Sequence, residues 1–167
     1  FIQLDMDIPK IYEIGSDLVA NAYAAKKILT RNTIIVDFGT ALTFTIYTED
    51  KGIEGVTISP GLKTIISTLS GNTAQLPEIE LKVPSSAIGK STSKAIRAGV
   101  IFGFIGQVKE ILTRIKNELD VPYHIVATGG LSSAIKELDS EFDTIDKDLT
   151  LDGIRLIKQY IDTHYTY

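Results

Sequence analysis

Three blocks of β-branched and aromatic residues stand close together at 33–38, 42–48 and 53–59. Gly39-Thr40-Ala41 and Glu49-Asp50-Lys51-Gly52 join them, and such short joints read as hairpin turns in an antiparallel meander. Ahead of the meander, Pro9 keeps residues 1–14 extended. Ser16 or Asp17 is then placed to cap a helix that runs to about Leu29, with Val19, Ala20, Ala24 and Ile28 as its apolar positions. Behind the meander, Pro60-Gly61 breaks the pattern, and a helix is predicted from Leu62 to Leu69. Residues 70–92 form a polar connection rich in Ser, Pro and Gly, long enough to suggest a functional loop.

The rhythm then lengthens. Ile96, Val100, Phe104, Val108, Ile111, Leu112 and Ile115 recur at three- and four-residue steps, which predicts a long helix over 93–118 with one apolar face. Gly99, Gly103 and Gly106 fall inside it. Each costs about 1 kcal/mol against alanine in a helix interior, so another backbone is expected to approach there. Tyr123 to Ala127 reads as a strand, followed by Thr128-Gly129-Gly130 and a short helix to about Leu138. A weak strand near 142–145 and a final helix over 151–161 complete the order βββ-α-α-β-α-β-α.

Composition narrows the class. The chain has 167 residues, 44% hydrophobic and 23% charged, enough for one domain, or one and a fraction, with a real core. A net charge of −4 disfavours a nucleic-acid-binding face. There is no cysteine, which removes disulfides and thiolate metal sites. No apolar run reaches membrane-spanning length and no signal peptide is visible, so a cytoplasmic location is expected. The chain opens mid-pattern on Phe1-Ile2-Gln3-Leu4, as the continuation of a longer protein would.

Candidate chemistry gathers at the turns. Asp37 ends an apolar strand, where a carboxylate must be paired or coordinated, and it can face a cation. Gly39 lets a backbone come close to a ligand, and Thr40 and Thr43 offer hydroxyls suited to a phosphate. Gly15-Ser16-Asp17 reads as a helix cap, and equally as a carboxylate at a helix N-terminus serving as general base toward a hydroxyl. Thr128-Gly129-Gly130 reads as a turn, or as a flat seat for a ligand at a strand's C-terminal end. Ile88-Gly89-Lys90-Ser91-Thr92 looks like the tail of a P-loop, but the spacing fails because Pro84 stands where the first glycine belongs. On spacing it is a loop with a helix cap at Thr92 or Ser93. His124 and His164 fall in no catalytic or ligand spacing and read as structural.

Together these motifs resemble type III pantothenate kinase, of the superfamily that joins sugar kinases, heat-shock chaperones and actin. Gly15-Ser16-Asp17-Leu18 is similar to the family's G-x-D-R, and Asp37 to Thr43 match its D-x-G-T-A-x-T at every defined position. Gly55 to Leu62, Leu76-Pro77, Ile88 to Thr92, Thr128-Gly129-Gly130 and Leu149-Thr150-Leu151-Asp152-Gly153 follow in the family's order. The resemblance implies an α/β fold, an RNase-H-like (actin-like ATPase) domain with a three-stranded antiparallel meander and parallel strands flanked by helices. Residues 1–30 would be the end of an N-terminal domain and an interdomain helix, and 31–167 the C-terminal domain.

It also implies ATP-dependent phosphorylation of pantothenate, the first step of coenzyme A biosynthesis, by a homodimer. Asp17 would be the base, and Gly15, Ser16, Leu18 and Thr92 would join it around pantothenate. Thr40, Thr43, Gly129 and Gly130 would bind the nucleotide, with Mg2+ accompanying ATP. Asp37 would hold a monovalent cation, K+ or NH4+. Two departures stand out. Leu18 replaces an arginine that could grip a carboxylate bidentately, and the family's first phosphate loop, D-x-G-N-T, is not in these residues. A fragment lacking that loop is expected to be inactive alone. A non-catalytic Baf-type transcriptional activator is the alternative reading, and another phosphotransferase or phosphatase of the superfamily, such as an exopolyphosphatase, a third.

Overall fold

Ile34, Ile35 and Val36 are consecutive and fully buried, which a strand allows only when both faces of its sheet are covered. The computed structural model, which describes Leu4, Met6 and residues 13–71 and 81–165, places them in the central strand β1 (Thr33–Phe38). β2 (Ala41–Thr48) and β3 (Gly52–Pro60) complete the expected meander. β4 (His124–Thr128) lies parallel to β1 on its other side, and the two-residue β5 (Thr144–Ile145) parallel to β4. The sheet order is β3-β2-β1-β4-β5.

Side-chain alternation divides the core. Ile34, Val36 and Phe38 of β1, with Leu42, Phe44 and Ile46 of β2, face α3 (Thr92–Glu118). That helix answers with Val100, Ile101, Phe104, Val108, Leu112 and Ile115, close to the apolar face its spacing predicts. Phe38 packs edge-on against Phe142 at 5.8 Å and tilted against Phe104 at 6.1 Å. α2 (Leu62–Gly71) covers the same side with Leu62. Ile35, Tyr47, Ile53 and Val126 face the other way, toward α1 (Ser16–Ala24) and Leu149 of α4 (Leu149–His164). α1 and α4 touch closely, because a Cβ on Gly153 would collide with the Ala20 backbone carbonyl.

Several local expectations need correction. The N-cap of α1 is Gly15, with no side-chain cap bond, so neither Ser16 nor Asp17 caps the helix. The Gly15 carbonyl accepts from Leu18 and Val19, and a Cβ at Gly15 would lie 2.5 Å from Asp17 Oδ1, so the bare glycine makes room for that carboxylate. The helix does reach Leu29, but its last turn, Ala25–Leu29, widens to a π-helix and closes on Thr30 at φ 50°. Ser91 caps α3 instead of Thr92 or Ser93, its hydroxyl accepting from the Lys94 amide at 3.4 Å. After Gly130 the chain makes turns and then a 3-10 helix at Lys136–Glu141, not a helix running to Leu138. Ser132 is the reason: its hydroxyl and amide both bond to the Gly129 carbonyl and close a turn there. The final helix begins two residues earlier than predicted.

Gly99, Gly103 and Gly106 are exposed, and a Cβ on any of them would meet nothing within 4 Å among the described residues. No backbone of the described chain takes up the space they leave. Pro9 and Leu76-Pro77 lie outside the described residues.

Candidate functional site

Asp37 sits one residue before the end of β1, half-buried, on the α1 side of the sheet. Its register partners are Thr43 on β2 and Thr128 on β4, so three oxygen-bearing side chains share one row across the sheet. Thr43 Oγ1 and Thr128 Oγ1 are buried with no hydrogen-bond partner among the described residues. The carboxylate itself is held from α1, where Asn21 Nδ2 donates to Asp37 Oδ2 at 2.9 Å. Asn21 is wholly buried, and its Oδ1 accepts from Thr150 Oγ1 of α4 at 2.7 Å. Burial pushes the Asp37 carboxyl above the usual aspartate range, the Asn21 bond opposes that, and the negative charge of Asp17 adds to it. Asp17 itself is exposed in the first turn of α1.

The other carboxylate oxygen faces glycine. Gly129 has φ 89°, and a Cβ there would be 2.5 Å from Asp37 Oδ1. Only glycine both adopts that conformation cheaply and leaves the carboxylate its place.

Beyond the strand end, the exposed turn residue Thr40 is tied to α2. Its carbonyl accepts from the Gly61 amide at 3.0 Å and from Thr64 Oγ1 at 2.6 Å. A cavity of about 370 Å³ opens here, lined by Gly39, Thr40, Lys63, Thr64 and Gly130 among others. It lies outside the carboxyl ends of β1 and β4, where α/β sheets hold ligands. The N-terminal turn of α2 brings a positive dipole end and Lys63 to it, a combination suited to a phosphate. A larger cavity of about 460 Å³ between β3 and α3, lined by Val56, Ile111 and Arg114, contains none of the candidate residues.

The expected site residues therefore sort into groups. The charge of Asp17 adds to the raised carboxyl of Asp37, Gly129 shields Asp37, and Thr40 and Gly130 line one cavity. The two threonines of the turn part company: Thr40 is exposed, while Thr43 is buried beside Asp37. Gly15 and Ser16 are exposed at the head of α1. Leu18 is 4% exposed, a core residue. Thr92 is exposed at the head of α3, on the opposite face of the sheet from α1, and among the described residues no hydrogen bond joins it to Asp17, Asp37 or Thr40. Lys63 and Thr64 carry no expectation from sequence, and Asn21, Thr128 and Thr150 stand there only inside motif stretches, with no role of their own. A lysine following Pro60-Gly61 at a helix start was the available signal for Lys63. Among the described residues no group of three or more His, Asp or Glu could hold a metal, and no helix is long and apolar enough to cross a membrane.

A sequence model of the type III pantothenate kinase family matches residues 1–114. The chain belongs to this family. Type III pantothenate kinase of Dehalococcoides mccartyi is 42% identical over 158 residues, covering 95% of this chain and 59% of that protein. Type III pantothenate kinase 1 of Francisella tularensis is 42% identical over 159 residues, covering 93% and 62%. That of a Geobacillus species is 38% identical over 156 residues, covering 93% and 60%. The chain thus spans about three fifths of the length of these relatives. In the solved structure of a Baf-family transcriptional activator from Campylobacter jejuni, 95% of this chain aligns with 69% of that one at a TM-score of 0.63 and 24% identity, which bears on the fold alone.

Proposed function

We propose that the protein to which this chain belongs transfers the γ-phosphoryl group of ATP to the terminal hydroxyl of pantothenate, the opening step of coenzyme A biosynthesis. The observation that supports it most directly is the cavity bounded by the Gly39-Thr40 turn, Lys63 and Gly130, at the end of the strand that carries Asp37. Residues 1–30 would end a preceding domain and residues 31–167 would form the nucleotide-binding one.

Asp17 accepts the pantothenate hydroxyl proton as oxygen attacks phosphorus. Its exposure and its place at a helix N-terminus suit a base that meets substrate. Thr40, with the α2 N-terminus and Lys63, holds ATP phosphate where charge spreads over the moving group. Gly129 and Gly130 back the adenosine. The Asp37 carboxylate, with the unpartnered hydroxyls of Thr43 and Thr128, is an all-oxygen donor set that fits K+. NH4+ could replace it by donating to the same oxygens. A bound monovalent cation supplies positive charge beside the phosphates, and Mg2+ arrives with ATP. This assigns Thr43 to the cation side of the site in preference to a phosphate. Gly15, Ser16 and Thr92 would contact pantothenate. Leu18, buried and uncharged, leaves the pantothenate carboxylate to another cationic group. A homodimer through the exposed glycine face of α3 would occupy the space left at Gly99, Gly103 and Gly106.

The test is product formation by the full-length protein from ATP and pantothenate, with and without potassium, read as phosphopantothenate by mass spectrometry. Absence of product under both conditions would refute the proposal. Light scattering of the same sample reads the dimer directly.

A further inference from the structure

We propose that Asn21 and Thr150 are a positioning pair for Asp37: Thr150 fixes the Asn21 amide, and the amide turns the Asp37 carboxylate so that Oδ1 faces Gly129 and the open strand end. The inference rests on the reading of Asp37 as the cation-binding carboxylate.

A wholly buried primary amide must find partners, and both of these are specific. Thr150 Oγ1 donates to Asn21 Oδ1 at 2.7 Å, so the Asn21 nitrogen is committed to the other side, where it donates to Asp37 Oδ2 at 2.9 Å. A flipped amide would aim its oxygen at the carboxylate, acceptor against acceptor. A hydroxyl can donate or accept, so the acceptor-only carboxylate sets which end of the amide faces it, and Thr150, bonded to the other end, holds the amide in place.

The three residues come from α4, α1 and β1, brought together by packing. Gly153 lets α4 rest on the Ala20 backbone, and Thr150 lies one turn earlier on the same helix. A purely structural pair would need no polar chain here. Apolar residues of the same volume commonly serve a buried contact as well or better.

The experiment uses the full-length enzyme. Thr150→Val and Thr150→Ala both remove the donor and differ in volume, and Thr150→Ser restores it. Two quantities are read: the potassium concentration for half-maximal turnover, and the solvent exchange of the Asn21 side-chain amide protons by nitrogen-15 NMR. Both donorless variants should raise the half-maximal potassium concentration by roughly three- to tenfold, the size of one neutral hydrogen bond. In both, the Asn21 amide protons should exchange faster than in the wild type, while KM for pantothenate holds. Thr150→Ser should return both quantities toward wild type. Unchanged Asn21 amide exchange in Thr150→Val and Thr150→Ala overturns the positioning pair. A wild-type enzyme whose turnover ignores potassium overturns the cation reading of Asp37 instead, and the Asn21 amide exchange still judges the pair.

Discussion

Replacing Leu18 with methionine, alanine and arginine should lower the protein's stability in that order. The side chain is 4% exposed in the buried face of α1. Methionine conserves volume and should cost under about 1.5 kcal/mol. Alanine leaves a cavity and loses the transferred methyl groups, for about 2–5 kcal/mol. Arginine gives up the leucine's burial, about 1.5–3 kcal/mol, and asks a guanidinium to leave water or force α1 outward, which adds several kcal/mol. Against a total stability of about 5–15 kcal/mol, the arginine variant should be largely unfolded or strongly destabilised. Thermal unfolding followed by circular dichroism reads the series, at roughly 2–4 °C per kcal/mol for a chain of this size. The resemblance noted from sequence expects an arginine here, so the opposite outcome is informative. If Leu18→Arg melts with the wild type and binds pantothenate more tightly by calorimetry, the side chain reaches the substrate and the burial argument is wrong.

Asp37→Asn should abolish the potassium dependence of turnover, because the proposed cation site loses its charge. The raised carboxyl makes stability fall as pH climbs from 3.8 through the folded value, since the native state keeps the proton longer. The asparagine variant should therefore be at least as stable as wild type at neutral pH, with the gap closing on acidification, and urea titrations at several pH values would expose any other order. Gly129→Ala forces a Cβ 2.5 Å from Asp37 Oδ1 at φ 89° and should cost at least about 1–2 kcal/mol together with most of the turnover; a fully active, equally stable variant would show the turn to be slack. Lys63→Ala should raise KM for ATP several-fold and leave KM for pantothenate alone, which initial-rate kinetics can separate, because the lysine lines the cavity proposed for ATP phosphate.

The meander was legible because its signals are local: β-branched runs, a turn glycine and a carboxylate that ends an apolar strand. Strand bounds at 33–38 came out as read, and the neighbouring two moved by a residue at their ends. The apolar face of α3 was legible for the same reason, its spacing being a property of the helix alone. Helix ends were not. Whether Gly15 or Ser16 begins α1 depends on where the Asp17 carboxylate lies, and spacing carries no record of that. The glycines of α3 were read as a packing groove, and within the described residues they face open space. Asp37 could be picked out as odd, but its holder could not. Asn21 lies 16 residues from it and Thr150 another 129 from Asn21, each an ordinary polar residue until packing assembles them.

That 129-residue separation also sets a clock. At about 5–20 residues per second of synthesis, Thr150 is made roughly 6–26 seconds after Asn21. β1 and β2 can pair early, since their residues are adjacent in the chain. The amide that holds Asp37 must wait for α4 to be translated. Throughout that interval α1 carries a solvated amide in place of a buried one, and its face opposite the sheet stays wet until Gly153 arrives. A nascent chain can therefore hold its sheet well before its carboxylate is aimed.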